Sequence, residues 1–288
     1  MTAEVRTWGE ALNYTLHTRW KGTPAEITNS INSGHITEYA GKSMPLSRMG
    51  KAAWWIQLTT DLLEDHPQWS TSTVNRVVSA GTTVLKTCQR AGLTEVSCPT
   101  FDRLKEGEMR VSWFTKEQVE KLAFAARDVF DRPDLSDAIL VSAYTGIRQG
   151  ELLKLLVEDV DSETNTLWVG GRRGRETKGK EVRAIPIADR IKDILEQRVA
   201  GKPPTAKLFG GDWSSKDQLY TQFKRVRKYI GLSEDYVWHS LRHSLATWLG
   251  EVAHPRQIQA IMGHKSIETT LRYCKASDPA NRRAMAQL

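Results

Sequence analysis

No stretch of the sequence approaches 18 consecutive apolar residues, the length a bilayer-spanning helix needs, which argues against a membrane span. The first twenty residues carry Glu4, Arg6 and Glu10 but no apolar segment, so they do not read as a secretory leader. Cysteine is scarce and odd in number: Cys88, Cys98 and Cys274. That pattern suggests reduced thiols in a cytoplasmic setting rather than a disulfide scaffold. There is no internal repeat and no low-complexity tract. What remains is ordinary: 40% hydrophobic and 26% charged residues, which argues against wholesale disorder, collagen or a coiled coil. At 288 residues the chain has length for roughly two domains of about 150 each, and enough to bury a real core.

Acidic residues are in deficit, 34 against 41 basic, for a net charge of +7. Residues 1–112 are nearly balanced, with 12 basic and 11 acidic; residues 113–288 hold 29 basic and 23 acidic. Arg172, Arg173, Arg175, Lys178, Lys180 and Arg183 fall within twelve positions, and Lys224, Arg225, Arg227 and Lys228 form a second cluster. Basic clusters on a folded domain point toward a polyanion, most often nucleic acid. A solvated face is the other reading, and charge alone does not choose between them.

Residues 1–91 read as helical, with helices near 5–18, 24–33, 46–66 and 72–91. Trp54, Trp55, Leu58, Leu62 and Leu63 recur at helical spacing, as do Val74, Val77, Val78, Val84, Leu85 and Cys88. The tryptophans read as core, not as base-stacking platforms. Residues 93–113 lose the period and contain Pro99 and Gly107, which predicts a linker. Thr115-Lys116-Glu117-Gln118 fits a capping box opening a new helix. Leu167-Trp168-Val169 and Val182 to Ile187 predict a small antiparallel sheet with glycine-rich turns. Helix resumes at Ile191–Val199, through Leu219, Phe223, Val226 and Ile230, and over Trp238–Tyr273 with breaks at 250–255 and Gly263. The fold class expected is α+β and mainly helical, in two domains: a helical one over 1–92, and over 114–288 a mixed one with a small antiparallel sheet.

Four features of the second half carry chemistry. They are Tyr144-Thr145-Gly146-Ile147-Arg148-Gln149-Gly150-Glu151; Lys178 beside Gly179, with Arg183 and Pro186 after it; His239-Ser240-Leu241-Arg242; and Met262-Gly263-His264 with Tyr273 nine residues on. Together and in this order they resemble the tyrosine recombinases, the family of phage integrases and Xer-type resolvases. That family carries a Thr-Gly-x-Arg-x-x-Glu motif, a hairpin lysine, His-x-x-Arg, and Gly-His followed by a tyrosine. Any one motif alone would be weak; four in order over the last 175 residues or so are specific.

The resemblance implies roles. Tyr273 would attack a phosphodiester and form a 3′-phosphotyrosyl bond, conserving the bond energy so that rejoining needs no ATP. Arg148 and Arg242 would offer guanidinium forks to the pentavalent phosphate. His239 would take the Tyr273 proton or hydrogen-bond the phosphate, and His264 would donate a further hydrogen bond. Lys178 would protonate the leaving 5′ oxygen, with Lys180 the alternative. Glu151 would brace a neighbouring group. Arg172, Arg173, Arg175, Lys180, Arg183, Lys224 and Arg225 would touch DNA phosphates. No cofactor and no metal is expected: His239 and His243 are spaced as in zinc helices, but position 240 is Ser, not the Glu a zinc protease needs, and no cysteines cluster nearby. His243 reads as a packed or surface residue.

The expected partner is duplex DNA carrying an inverted-repeat core site, bound by a clamp of two domains, with a homotetramer on paired sites and accessory bending or directionality proteins as possible additions. The first domain would be the core-binding domain; with so few residues before the first helix, no arm-binding domain is expected. The last residues, with Ala284, Met285 and Leu288, would dock on a neighbouring protomer. Two rivals share features: a type IB topoisomerase-like relaxing enzyme, and a helix-turn-helix regulator without chemistry, for which Gln257–Tyr273 has the outline. The sequence departs from the family at Ser240, usually Asp, and at Cys274, usually Thr.

Overall fold

The tryptophans and branched residues of the first ninety positions pack into one helical core, as their spacing predicts. The structure is a computed structural model, and it describes residues 4–107, 112–171, 182–211 and 213–274. The chain divides into two compact units, Met1–Met109 and Arg110–Leu288.

The first unit contains α1 (Trp8–Thr15), continued by a wider turn over Leu16–Trp20, α2 (Glu26–Ala40), α3 (Leu46–Met49), α4 (Ala52–Asp65) and α5 (Thr71–Arg90). Thr7 caps α1 in a reciprocal box with Glu10, and Ser70 caps α5 by accepting the Thr73 amide proton. The expected helix over 46–66 is two, α3 and α4, with Gly50 and Lys51 between them. Trp8 and Trp55 are fully buried, and α5 passes Trp55 so closely that a Cβ on Gly81 would stand 2.6 Å from its ring. The stretch read as a linker behaves differently over its first part. Leu93, Val96, Cys98, Phe101 and Leu104 lie on the core of this unit, because an extended chain with apolar residues two to three apart can bury one side.

The second unit begins with α6 (Lys116–Phe124), whose Thr115–Gln118 capping box forms as read. It continues through α7 (Pro133–Thr145), α8 (Gln149–Leu152), strands β1 (Val160–Asp161), β2 (Thr166–Val169) and β3 (Arg183–Pro186), then α9 (Asp189–Val199), α10 (Lys216–Tyr229), α11 (Trp238–Gly250), α12 (Pro255–Met262) and α13 (Ile267–Leu271). The sheet is antiparallel in order β1-β2-β3, with Leu167 opposite Ile185 and Val169 opposite Arg183. Leu167, Val169 and Ile185 face the core on alternate positions, the period-two burial a half-covered sheet requires. α7 is the centre of the unit: of its thirteen residues nine are buried, against α6, α9 and α11. Among the described residues no helix is long and apolar enough to cross a membrane.

Candidate active site

Two helix ends and one helix face build the site. α7 stops after Thr145 because Gly146 adopts φ 62°, the left-handed conformation glycine takes without strain. A Cβ there would also stand 2.8 Å from Met262 Sδ and 3.1 Å from Leu245 Cδ2, so glycine is needed for space as well. The turn sets Arg148 at the start of α8 with its side chain half exposed. Glu151, in the first turn of α8, accepts from the Arg148 amide and from Arg148 Nη1, each at 2.9 Å. α12 ends in the same way at Gly263, φ 63°, and the reversal turns His264 back toward the rest of the site. His264 Nδ1 lies 2.9 Å from the hydroxyl of Thr270, which is wholly buried.

α11 supplies the face. Ser240, the departure from the family pattern, accepts from the Val237 amide at 3.1 Å and caps the helix start. Arg242 is buried, and its guanidinium donates to the Gly146 carbonyl at 2.5 Å and to the Met262 carbonyl. It thereby ties the two glycine-ended helices to α11. Burial, then the charges of Arg148 and Arg183, lower its pKa to about 10, which leaves it cationic at neutral pH. His239 is solvent-exposed and has no hydrogen-bond partner among the described residues. The protein around it, then Arg242 and Arg148, hold its ring below the usual imidazole value.

Tyr273 follows α13. Its hydroxyl lies 2.5 Å from His243 Nδ1, and its ring lies 6.1 Å from that of His264 at an interplanar angle of 19°. Burial raises the phenol pKa, with Arg242 and Arg272 pulling it back. A Cβ on Gly250 would collide with the Tyr273 carbonyl, so glycine at the end of α11 lets the tyrosine segment lie against it. The structure thus corrects the reading of His243 as merely packed or on the surface: it is on the hydroxyl of Tyr273. The sequence signal was its position one helical turn after His239.

Arg183 also differs from its expected place in the DNA-contact set. Its side chain is 9% exposed and grips Glu151, Nη2 to Oε2 at 2.7 Å and Nη1 to Oε1 at 3.3 Å. A half-buried carboxylate needs a cation, and β3 delivers one. Burial would raise the Glu151 pKa, but the hydrogen bonds and charge of Arg183, with the Arg148 amide, overcome it and bring the value to about 2. Lys224 and Arg225 are exposed on α10, whereas Arg227 of the same cluster is buried and donates to the carbonyls of Glu234 and Tyr236. Arg172, Arg173, Arg175, Lys178 and Lys180 lie outside the described residues. A cleft beside the site is lined by Arg148, His264 and Gly263, and also by Arg256 and Lys265, two cations the sequence reading did not select. Lys265 adjoins the Gly-His motif, which was the available signal. Among the described residues no group of three or more His, Cys, Asp or Glu is disposed to hold a metal ion.

The helix-turn-helix outline at Gln257–Tyr273 resolves into α12 and a five-residue α13, less than two turns and short for a groove-reading helix.

Residues 112–279 match the phage integrase family. The tyrosine recombinase XerA of Saccharolobus solfataricus is 38% identical over 176 residues, 61% of this chain and 55% of that protein. The tyrosine recombinase XerD of Corynebacterium glutamicum is 32% identical over 158 residues, 51% of this chain and 50% of that protein. The chain thus spans about half the length of the curated relatives it matches. In fold it is similar to the Tn1549 transposon integrase (residues 82–397) solved with a circular intermediate DNA, with TM-score 0.80, 19% identity, 99% of this chain and 100% of that one. It is also similar to a lambda integrase dimer bound to a COC′ core site, with TM-score 0.73, 18% identity, 96% of this chain and 80% of that one.

Proposed function

The chain belongs to the phage integrase family, and we propose that it is a site-specific DNA recombinase of the tyrosine type that cuts and rejoins duplex DNA through a 3′-phosphotyrosyl intermediate. One set of contacts supports the reading: Arg148 and His264 line one cleft, Arg242 donates to the carbonyls of Gly146 and Met262 just before them in the chain, Tyr273 lies beside the His264 ring, and His243 links the Tyr273 hydroxyl to His239.

In this reading a DNA phosphate lies between Arg148 and Arg242. Their fixed charges, with hydrogen bonds from His239 and His264, stabilise the added negative charge of the pentavalent transition state without any reorganisation at the moment of reaction. Tyr273 Oη bonds to phosphorus, the P–O5′ bond breaks, and Lys178 protonates the departing 5′ oxygen. Rejoining is the reverse, with a 5′ hydroxyl as nucleophile, so neither ATP nor a metal enters the steps. Glu151 orients Arg148. The exposed Lys224 and Arg225, with Arg172, Arg173, Arg175 and Lys180, contribute sequence-independent phosphate contacts. Work in the cytoplasm, two monomers on an inverted-repeat core site, a homotetramer on two such sites, and a mobile-element or phage setting belong to the same proposal.

The test uses supercoiled plasmid and a nicked suicide duplex carrying the DNA that flanks the gene, without metal or ATP. Wild type and Tyr273→Phe are quenched in denaturant and scored for protein bound covalently to DNA. Adduct with wild type alone supports the reading, and equal adduct with both assigns the nucleophile elsewhere. Tight binding with no adduct from either favours the regulator. Relaxation by monomers, without synapsis, favours the topoisomerase-like enzyme.

A further inference from the structure

We infer that His243, rather than His239, takes the proton from the Tyr273 hydroxyl as that oxygen attacks phosphorus; this rests on the recombinase reading and assigns a step within it.

The three histidines of the site have different engagements. His264 Nδ1 is occupied by the Thr270 hydroxyl at 2.9 Å. His239 is exposed and has no hydrogen-bond partner among the described residues, so its ring is open to an incoming phosphate. His243 Nδ1 alone meets the nucleophile, at 2.5 Å from Tyr273 Oη. Its ring is tilted 29° to that of Tyr273. His239 stands edge-on to His243, their centroids 4.7 Å apart.

Helix geometry explains the division. Arg242 and His243 are successive on α11, about 100° apart around its axis. Arg242 therefore points at the carbonyls of Gly146 and Met262 while His243 points at the segment bearing Tyr273. The groups facing His243 are His239, Arg242, His264 and Tyr273. Burial and then the charges of His239, Arg242 and His264 keep the imidazole neutral near pH 7, with a pKa of about 4; in the tautomer with its proton on Nε2, Nδ1 has the lone pair that accepts from the Tyr273 hydroxyl. That value describes the site without phosphate. An anion drawn in by Arg148 and Arg242 adds negative charge beside the ring and raises its proton affinity as the phenol loses its own.

The balance is complete. Oη–P forms and P–O5′ breaks. The Oη proton passes to Nδ1, and Lys178 supplies the proton that leaves with the 5′ hydroxyl. On rejoining, the His243 imidazolium returns its proton to the tyrosine oxygen.

The experiment compares wild type, His243→Gln and His239→Gln in single-turnover cleavage of the duplex on which the wild type forms its adduct. Each is made with tyrosine and with 3-fluorotyrosine, a more acidic phenol, at position 273. A general base is worth about 10²- to 10⁴-fold in rate. His243→Gln should lose at least about 10²-fold, and the fluorinated nucleophile should recover more of the rate in that variant than in wild type. Cleavage by His243→Gln at near wild-type rate overturns the inference. So does equal benefit from fluorination in wild type and variant, which would make His243 a merely structural neighbour. Selective recovery in His239→Gln would hand the proton to His239. A DNA-free readout checks the pairing itself: the ¹⁹F resonance of 3-fluorotyrosine at 273 should shift in His243→Gln and not in His239→Gln, and an unmoved resonance counts against it. Wild type that forms no adduct at Tyr273 sinks the recombinase reading, and the ¹⁹F result then stands apart as a statement about the pairing alone.

Discussion

Arg183 and Glu151 face each other as a two-pronged ion pair, one from β3 and one from the first turn of α8, and the same carboxylate also holds Arg148. Arg183 thus acts on Arg148 through an intermediary. Arg183→Met should leave Glu151 with half its support and lower the stability of the second unit by about 3 kcal/mol, read as a shift in the urea midpoint. Adduct formation should fall with it, because Arg148 loses its brace. An unchanged midpoint would show that the pair is dispensable.

Acid should weaken the second unit in two stages. His243 and His264 titrate near 4 in the folded chain and near 6.5 unfolded, so between those values the unfolded state binds more protons. Stability is therefore full above about pH 6.5 and is lost as pH falls toward 4. Glu151, held at about 2, adds a second loss between about pH 4.5 and 2. Urea midpoints measured from pH 7 to 4 should fall less steeply for His264→Gln than for wild type. Equal slopes would count against the buried neutral ring.

The α10 cluster should split under mutation. Lys224→Ala with Arg225→Ala should leave stability within about 0.5 kcal/mol. It should also make the salt dependence of DNA affinity shallower, by about 0.9 in the log–log slope for each phosphate that is no longer neutralised. Arg227→Ala should do the opposite, destabilising by about 2 kcal/mol because two carbonyls are left without their donor. Salt titrations of DNA binding, paired with melting curves, separate the two.

Gly146→Ala should cost about 1–2 kcal/mol for the left-handed backbone alone, before the clash with Met262. Because the Gly146 carbonyl holds Arg242, cleavage should fall further than stability explains. Adduct rates measured well below the melting temperature would reveal the excess; a rate loss no greater than the unfolded fraction would remove Gly146 from the site's construction.

Features with local causes were legible before the structure. The Thr115–Gln118 box, the break at Gly263 and the β2–β3 pairing all depend on neighbours in sequence. Features with distant causes were not. The partner of His243 lies 30 residues away, and only the reversal through α12 and α13 brings it near. Arg183 and Lys224 look alike as charges along the chain, and only burial separates a cation serving a carboxylate from one left to solvent. Residues 93–104 carry too few apolar side chains to show periodicity, yet enough to pack on a ready-made core.

Arg242 spends two of its donors on main-chain carbonyls from two other elements, so it works as a rivet as well as a charge. Loss of catalysis through that residue would bring loosening of the unit with it. Arg148 holds one carboxylate, Glu151, and Tyr273 holds His243 and rests on the Leu245–Ile258 cluster, so neither side chain joins the main chains of two other elements as Arg242 does. On the recombinase reading, a descendant of this chain that kept DNA binding and abandoned the chemistry would be expected to discard those two first and to keep Arg242, which makes a surviving arginine at 242 poor testimony that an integrase-like sequence still cuts.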